Sequence, residues 1–314
     1  MILILGVTAS GKGRLAFDLA ESLGADEIIS IDSMKVYRRM NIGTAKPPQK
    51  VRQRIKYHLI DIVEPSDSFS VGAFRDAAMG AIEQIKSRNK PVIAVGGTAL
   101  YIKALLYGLF EDPGTNEQIR AELKSRAETQ GLAELHRELT KIDPVAAERI
   151  HHNDSKRIIR ALEVYALTGK PISSLQQQWN KRNTPYAIRN TINDWTIIGL
   201  RRQKTEESKR INRRVKKMLE VGLVDEVKSL LAEEKPLSRQ AQCAIGYAEI
   251  IEYLNGQTSL EEATELMKKN TRRLAKNQRT WFKTFKSVNW LDLEPDEPPE
   301  KILTRTKTFV ESGK

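Results

Sequence analysis

The run Met1-Ile2-Leu3-Ile4-Leu5 is followed at once by Gly6-Val7-Thr8-Ala9-Ser10-Gly11-Lys12, and shortly after by Leu15-Ala16-Phe17-Asp18-Leu19-Ala20. The first run is the pattern of a short buried strand and the last that of a helix. Between them the glycines and Lys12 fit G-x-x-x-x-G-K. In such a loop the backbone N–H groups and the helix N-terminus wrap phosphate oxygens, while the Lys contacts them as a point charge. Strand, loop and helix in this order require a parallel sheet with the loop at its carboxyl edge.

The position after Lys12 departs from the motif. A Ser or Thr hydroxyl there binds the magnesium ion that accompanies the phosphates, but this chain has Gly13. Gly6, Val7, Thr8, Ala9, Ser10, Gly11, Lys12 and Gly13 are therefore the candidate diphosphate- or nucleotide-binding residues. Magnesium is the expected cofactor, with no metal ligand assigned to the chain.

The second strand, Glu27-Ile28-Ile29-Ser30-Ile31, ends at Asp32. A carboxylate at the end of a parallel strand, about twenty residues past a phosphate loop, faces the ligand crevice. Three roles suit Asp32: a magnesium ligand as in nucleotide kinases, a general base, or a cap for the turn that follows. Tyr57–Val63 reads as a short strand, and His58 has no Cys or second His beside it to make a metal site. Ser70–Lys86 has helical apolar spacing with Ser70 as N-cap, and Pro91–Thr98 is a buried strand ending in a glycine turn before a helix carrying Tyr101, Leu105 and Leu106. This alternation predicts an α/β doubly wound sheet of P-loop NTPase type.

From Thr115 the strand pattern stops. Helices are predicted over Gln118–Glu128, Leu132–Lys141, Pro144–Ile150 and Ser155–Leu167, and Trp195–Leu200 then resumes the buried-strand pattern. The expected organisation is a P-loop core domain over 1–115 and 190–314, interrupted by an all-helical subdomain over 116–189. A polar link is expected over 176–193.

Fifty-two Lys and Arg against 40 Asp and Glu give a formal charge of +12 in 314 residues. A pI near 9.6 points to a polyanionic partner, nucleic acid ahead of a membrane surface. The single Cys243 excludes an internal disulfide framework and a multi-cysteine metal site. Met1 enters a core strand directly and no apolar run is long enough for a membrane span, so a cytoplasmic protein without a leader is expected. The charge is concentrated. Arg201–Lys217 holds nine Lys or Arg, and Leu266–Lys286 holds eight with no acidic residue. On the second helix Arg272, Lys276, Arg279 and Lys283 are expected on one face and Met267, Leu274, Trp281 and Phe285 on another, a track for an RNA backbone.

A set of motifs in this order resembles the tRNA dimethylallyltransferases, in their bacterial form. It comprises Gly6–Lys12, Ile31-Asp32-Ser33-Met34-Lys35-Val36-Tyr37, Ile42-Gly43-Thr44-Ala45-Lys46-Pro47, Gly96-Gly97-Thr98-Ala99-Leu100-Tyr101 and Arg160-Ala161-Leu162-Glu163. Arg210-Ile211, Arg214-Val215, Met218, Gly222-Leu223, Ile245-Gly246-Tyr247 and Gln278 with Thr280-Trp281-Phe282 continue it to about Trp290. The resemblance implies transfer of a dimethylallyl group from its diphosphate to the exocyclic amine of an adenosine beside the tRNA anticodon. It implies Asp32 as general base, Thr8 beside the reacting groups, and Arg214 reaching the diphosphate from the far side of a channel. It adds Asp32, Ser33, Met34, Lys35, Thr98, Arg120, Lys156, Arg157, Ile158, Ile159 and Arg160 as tRNA contacts. The expected partners are a tRNA anticodon stem-loop and dimethylallyl diphosphate, with the protein a monomer. Lys35 stands where the family usually has Gln.

The chemistry suits these residues. Ionising an allylic diphosphate develops negative charge on the leaving group, which loop amides and Lys12 stabilise in place. An adenine amine is barely basic, and a carboxylate that accepts its proton helps the bond form. Three other readings share parts of the pattern. A small-molecule kinase would want a hydroxyl at position 13 and consume ATP; a free-nucleotide isopentenyltransferase would not need the basic helices; a non-catalytic RNA-binding paralogue would keep only those helices.

Overall fold

The computed structural model describes residues 1–109, 113–176 and 194–312. The chain divides into two compact units, Met1–Leu106 with Asn193–Lys314, and Tyr107–Ile192. The link expected over 176–193 lies, from residue 177 on, outside the described residues.

The first unit is built on six parallel strands in the order β3-β2-β4-β1-β5-β6. They are β1 (Ile2–Gly6), β2 (Glu27–Ile31), β3 (Lys56–His58), β4 (Ile93–Gly96), β5 (Thr196–Arg201) and β6 (Val288–Asp292). Strand β1 is central, in register with β4 (Leu3 opposite Ala94) and β5 (Leu3 opposite Ile197). All five residues of β1 and of β2 are buried, which is why β1 reads as an unbroken apolar run rather than an alternating one; in β2 Glu27 and Ser30 are buried with the isoleucines. The strand expected over Tyr57–Val63 is only three residues long, because Leu59 and Asp61 turn to positive φ (61° and 58°). The chain re-forms a single parallel bridge at Tyr37 and Val63.

Helices α1 (Lys12–Ser22), α2 (Val71–Ser87) and α3 (Ala99–Tyr107) follow β1, β3 and β4 in the chain. Ser70 caps α2 as expected, its side chain accepting from the Ala73 amide at 3.1 Å. The helical unit contains α4 (Glu117–Thr129), α5 (Leu132–Ile142) and α6 (Ser155–Thr168), each within a residue or two of its predicted span. Asn116 caps α4 through two backbone amides, and Asp154 caps α6. Leu123, Leu135, Leu139, Ile158, Ile159 and Leu162 form this unit's core, each buried side chain contributing roughly 1.5–3 kcal/mol.

After β5 come α7 (Lys204–Glu220), α8 (Leu223–Leu231), α9 (Tyr247–Leu254), α10 (Leu260–Phe282) and, beyond β6, α11 (Pro299–Ser312). A second core joins α7, α8, α9 and α10 to the segment after Asp32, through Val36, Tyr37, Met40, Val215, Leu223, Val227, Tyr247 and Met267. The architecture is the α/β, P-loop-like parallel sheet flanked by helices that the alternation of patterns predicts. Among the described residues no helix is long and apolar enough to cross a membrane.

Candidate active site

The carboxyl ends of β1, β2 and β4 meet at one edge of the sheet, and each ends in a turn. The β1 turn is the phosphate loop, with Ala9 at φ 61° and Gly11 at φ 101° as the residue preceding α1. Gly11 takes that left-handed conformation without the penalty a Cβ would bring. The Ser10 side chain is buried, and its Oγ has no hydrogen-bond partner among the described residues, a donor suited to a phosphate oxygen. Lys12 Nζ folds back on the loop to the Val7 carbonyl at 3.1 Å.

Asp32 is the first residue after β2. Its Oδ1 accepts from the amides of Met34 (2.9 Å) and Lys35 (3.2 Å), so the carboxylate does cap its own turn. That commitment fixes the carboxylate in place and leaves Oδ2 without a hydrogen-bond donor among the described residues. The Ser33 amide donates to Thr98 Oγ1 at 3.1 Å, joining this turn to the one after β4.

Two helices distant in sequence complete the cluster. From α7, Arg214 Nη1 donates to Thr8 Oγ1 at 3.3 Å. From α10, Gln278 Oε1 accepts the Thr8 amide at 2.8 Å and its Nε2 donates to the Gly97 carbonyl at 2.9 Å. Gly97 must be glycine for this contact, since a Cβ there would lie 2.6 Å from Gln278 Nε2. Arg210 Nε reaches the Ala9 carbonyl (2.9 Å) and Arg202 Nε the Ser10 carbonyl (3.1 Å). A cavity of about 150 Å³ beside the loop is lined by Ser10, Gly11, Arg14, Arg202 and Arg210 among others.

The electrostatics follow from crowding cations around a loop. Burial, with Lys35 and Arg214 close by, pulls the Lys12 ammonium down to about 7, against the opposing pull of Asp32. Burial also lowers Lys35 and Arg214, and Asp32 partly offsets both shifts. Thr8, Lys12, Asp32, Lys35 and Arg214 are thus brought together, as the motifs implied for one site.

The donor set does not build a magnesium cage. Gly13 offers no hydroxyl, Asp32 leaves only Oδ2 open, and the described residues contain no group of three or more His, Cys, Asp or Glu fit to hold a metal. A diphosphate does fit: loop amides, Ser10 Oγ, Lys12 and Arg214 are all donors.

Other motif residues serve as supports. Glu226 accepts from the amides of Asn41, Ile42 and Gly43 and from the Tyr247 hydroxyl, pinning the Ile42–Pro47 segment. Lys46 is buried between the Tyr37 carbonyl and Asp61.

The basic helices differ in detail from the expected pattern. The buried seam of α10 is Ala263, Met267, Ala275 and Phe282, and Leu274 is exposed. Two small alanines in that seam hide its position from a pattern of large apolar residues. Arg272 and Arg279 consequently lie on the flank, bonded to Asn212 (2.8 Å) and Glu207 of α7. The exposed stripe is instead Lys269, Arg273, Lys276 and Lys283, matched on α7 by Lys209, Arg213 and Lys216. Both follow helical i, i+4, i+7 spacing.

In the helical unit, Lys156 and Arg157 are exposed at the start of α6. Ile158 and Ile159 are not available as contacts, because both point into that unit's core at 0% and 7% exposure. Arg120 and Arg160 clasp the buried Glu163 carboxylate at 2.9 and 2.6 Å. The amide of Asn116 also donates to it. Those two arginines hold the unit together.

Beyond the place of Arg202 and Arg210 in the basic run 201–217, the sequence singles out no individual role for Arg202, Arg210 or Gln278, which the structure places on the phosphate loop. The available signals were a basic residue directly after a buried strand and, for the other two, their presence in the ordered motif set.

The family described as IPP transferase matches this chain over residues 35–285. A tRNA dimethylallyltransferase of Geobacter metallireducens is 45% identical over 93% of this chain and 92% of its own length. A tRNA dimethylallyltransferase 2 of Geotalea uraniireducens is 46% identical over 99% and 96%. Among solved structures, the tRNA isopentenylpyrophosphate transferase of Bacillus halodurans is 39% identical, covers 99% of this chain and 97% of its own, and superposes with a TM-score of 0.69. A eukaryotic dimethylallyltransferase captured acting on tRNA is 28% identical, covers 99% and 79%, and gives a TM-score of 0.76. With a family match over residues 35–285 and 45–46% identity along nearly its whole length, the chain belongs to the IPP transferase family.

Proposed function

We propose that this protein is a tRNA dimethylallyltransferase, acting as a monomer in the cytoplasm. It moves a dimethylallyl group from dimethylallyl diphosphate to the exocyclic amine of the adenosine 3′ of the anticodon. The observation that carries the reading is the meeting of one carboxylate, Asp32, with the cations Lys12 and Arg214 at a phosphate loop.

In this reading the diphosphate lies in the loop, against its amides and Ser10, with Lys12 and Arg214 on its oxygens. The bond between the allylic carbon and the diphosphate oxygen breaks as the bond from the adenine nitrogen to that carbon forms. The nitrogen gives its proton to Asp32 Oδ2 and the diphosphate departs with the bonding electrons. Thr8, held by Arg214 and Gln278, sits between the two partners. The adenosine must leave the stack of its loop to reach Asp32, and the exposed stripes on α7 and α10 and Lys156 and Arg157 on α6 supply positive charge for the backbone. The described side chains offer magnesium no cage, and a magnesium ion brought by the substrate would supply only counter-charge to the diphosphate.

The test is mass spectrometry of tRNA nucleosides from cells with and without the gene. Loss of dimethylallyladenosine on deletion supports the reading, and an unchanged nucleoside profile overturns it.

A further inference from the structure

Gly13 removes the side chain with which such a loop holds magnesium. The removal is not forced by packing, since a Cβ at Gly13 would meet no heavy atom within 4 Å. Around the same loop the chain places four cationic side chains. Lys12 Nζ bonds the Val7 carbonyl, Arg210 Nε that of Ala9, Arg202 Nε that of Ser10, and Arg214 Nη1 the Thr8 hydroxyl. The Nη2 atoms of Arg202 and Arg210 each come to 3.9 Å from the position of a Cβ on Gly11, so both guanidinium groups lie over the end of the loop. Lys35 stands close enough to Lys12 and Arg214 for all three to repel.

The carboxylates nearby do not cancel this charge. Among the described residues, Asp32 is the one carboxylate acting on Lys12, Lys35 and Arg214. Glu206 and Glu297 act on Arg202, and Glu297 is itself paired with Arg305. Asp18 is paired with Arg14. Like charges gathered in a desolvated site raise each other's cost, and a polyanion repays it.

We propose that this chain binds the diphosphate group of its substrate through its own cations, Lys12, Lys35, Arg210 and Arg214, so that binding does not need magnesium. The charge that a loop with a hydroxyl at position 13 draws from the metal is here built into the protein. This rests on the diphosphate reading given above.

The test is calorimetric titration of the intact protein with inorganic pyrophosphate, once in EDTA and once in excess magnesium. The two dissociation constants are expected to agree within about threefold, less than the factor that one charge-assisted contact supplies. Gly13→Thr restores the hydroxyl in open space, and its dissociation constant should be about tenfold or more lower with magnesium than without. Wild-type protein that binds only with magnesium overturns this proposal and leaves the diphosphate reading standing. Pyrophosphate that binds in neither buffer overturns both. A Gly13→Thr variant that binds as well as wild type but ignores magnesium overturns the assignment of the effect to position 13.

Discussion

Gln278 Oε1 accepts the Thr8 amide at 2.8 Å although 270 residues separate them in the chain. The same side chain donates to the Gly97 carbonyl, so one residue of α10 joins the turn after β1 to the turn after β4. The helix that carries the exposed basic stripe is thereby bolted to the loop proposed to bind diphosphate.

Gln278→Leu should lower kcat about 10–100-fold, because an unpaired amide and carbonyl together cost about 1–3 kcal/mol of positioning. The affinity for tRNA should be nearly unchanged. Steady-state kinetics with a separate tRNA-binding measurement check this, and an equal fall in both would mark Gln278 as a general support of the fold.

Asp32→Asn keeps an oxygen to accept the Met34 and Lys35 amides but cannot take a proton. Turnover should fall about 100-fold or more, the usual worth of a general base, while tRNA binding holds. A variant with near-normal turnover would reduce Asp32 to its turn-capping role.

The flank and the stripe of α10 should separate by experiment. Arg273→Ala with Lys276→Ala removes two exposed charges and should lower the salt slope of tRNA binding by about two log–log units, with little change in melting temperature. Arg279→Ala strands the buried Glu207 carboxylate, at a cost of about 3–5 kcal/mol of stability. Thermal melts and binding at several salt concentrations distinguish the two.

Lys12 supplies a pH dependence. With its ammonium held near 7, the free protein loses that charge as pH rises through neutrality. A bound diphosphate favours the charged form and restores it, so binding at pH 8 should take up nearly one proton, and affinity should weaken with rising pH. Calorimetry in buffers of different ionisation enthalpy counts the proton. Lys12→Met should abolish the uptake; uptake that survives the substitution would place the titrating group elsewhere.

Much of this was legible because it is local. The phosphate loop, β2, the Ser70 cap and the helices of the second unit are each written in a few consecutive residues. Strand β6 is not; Val288–Asp292 is a partly exposed edge strand next to a Pro-rich acidic stretch and reads as part of a tail. Helix α11, beyond it, escaped for the same reason. The roles of Gln278, Arg202 and Arg210 depend on contacts across about two hundred residues or more, which no pattern in one sequence reports. Arg120 and Arg160 look like surface charge until Glu163 is seen beneath them.

The most direct test uses purified protein, dimethylallyl diphosphate and two anticodon stem-loop RNAs. One carries adenosine 3′ of the anticodon; the other carries purine riboside, which lacks the exocyclic amine. The first RNA is expected to gain the mass of one dimethylallyl group with release of one diphosphate, and the second to gain nothing. No gain on the adenosine RNA, from folded protein shown to bind pyrophosphate, would contradict this expectation, as would an equal gain on both.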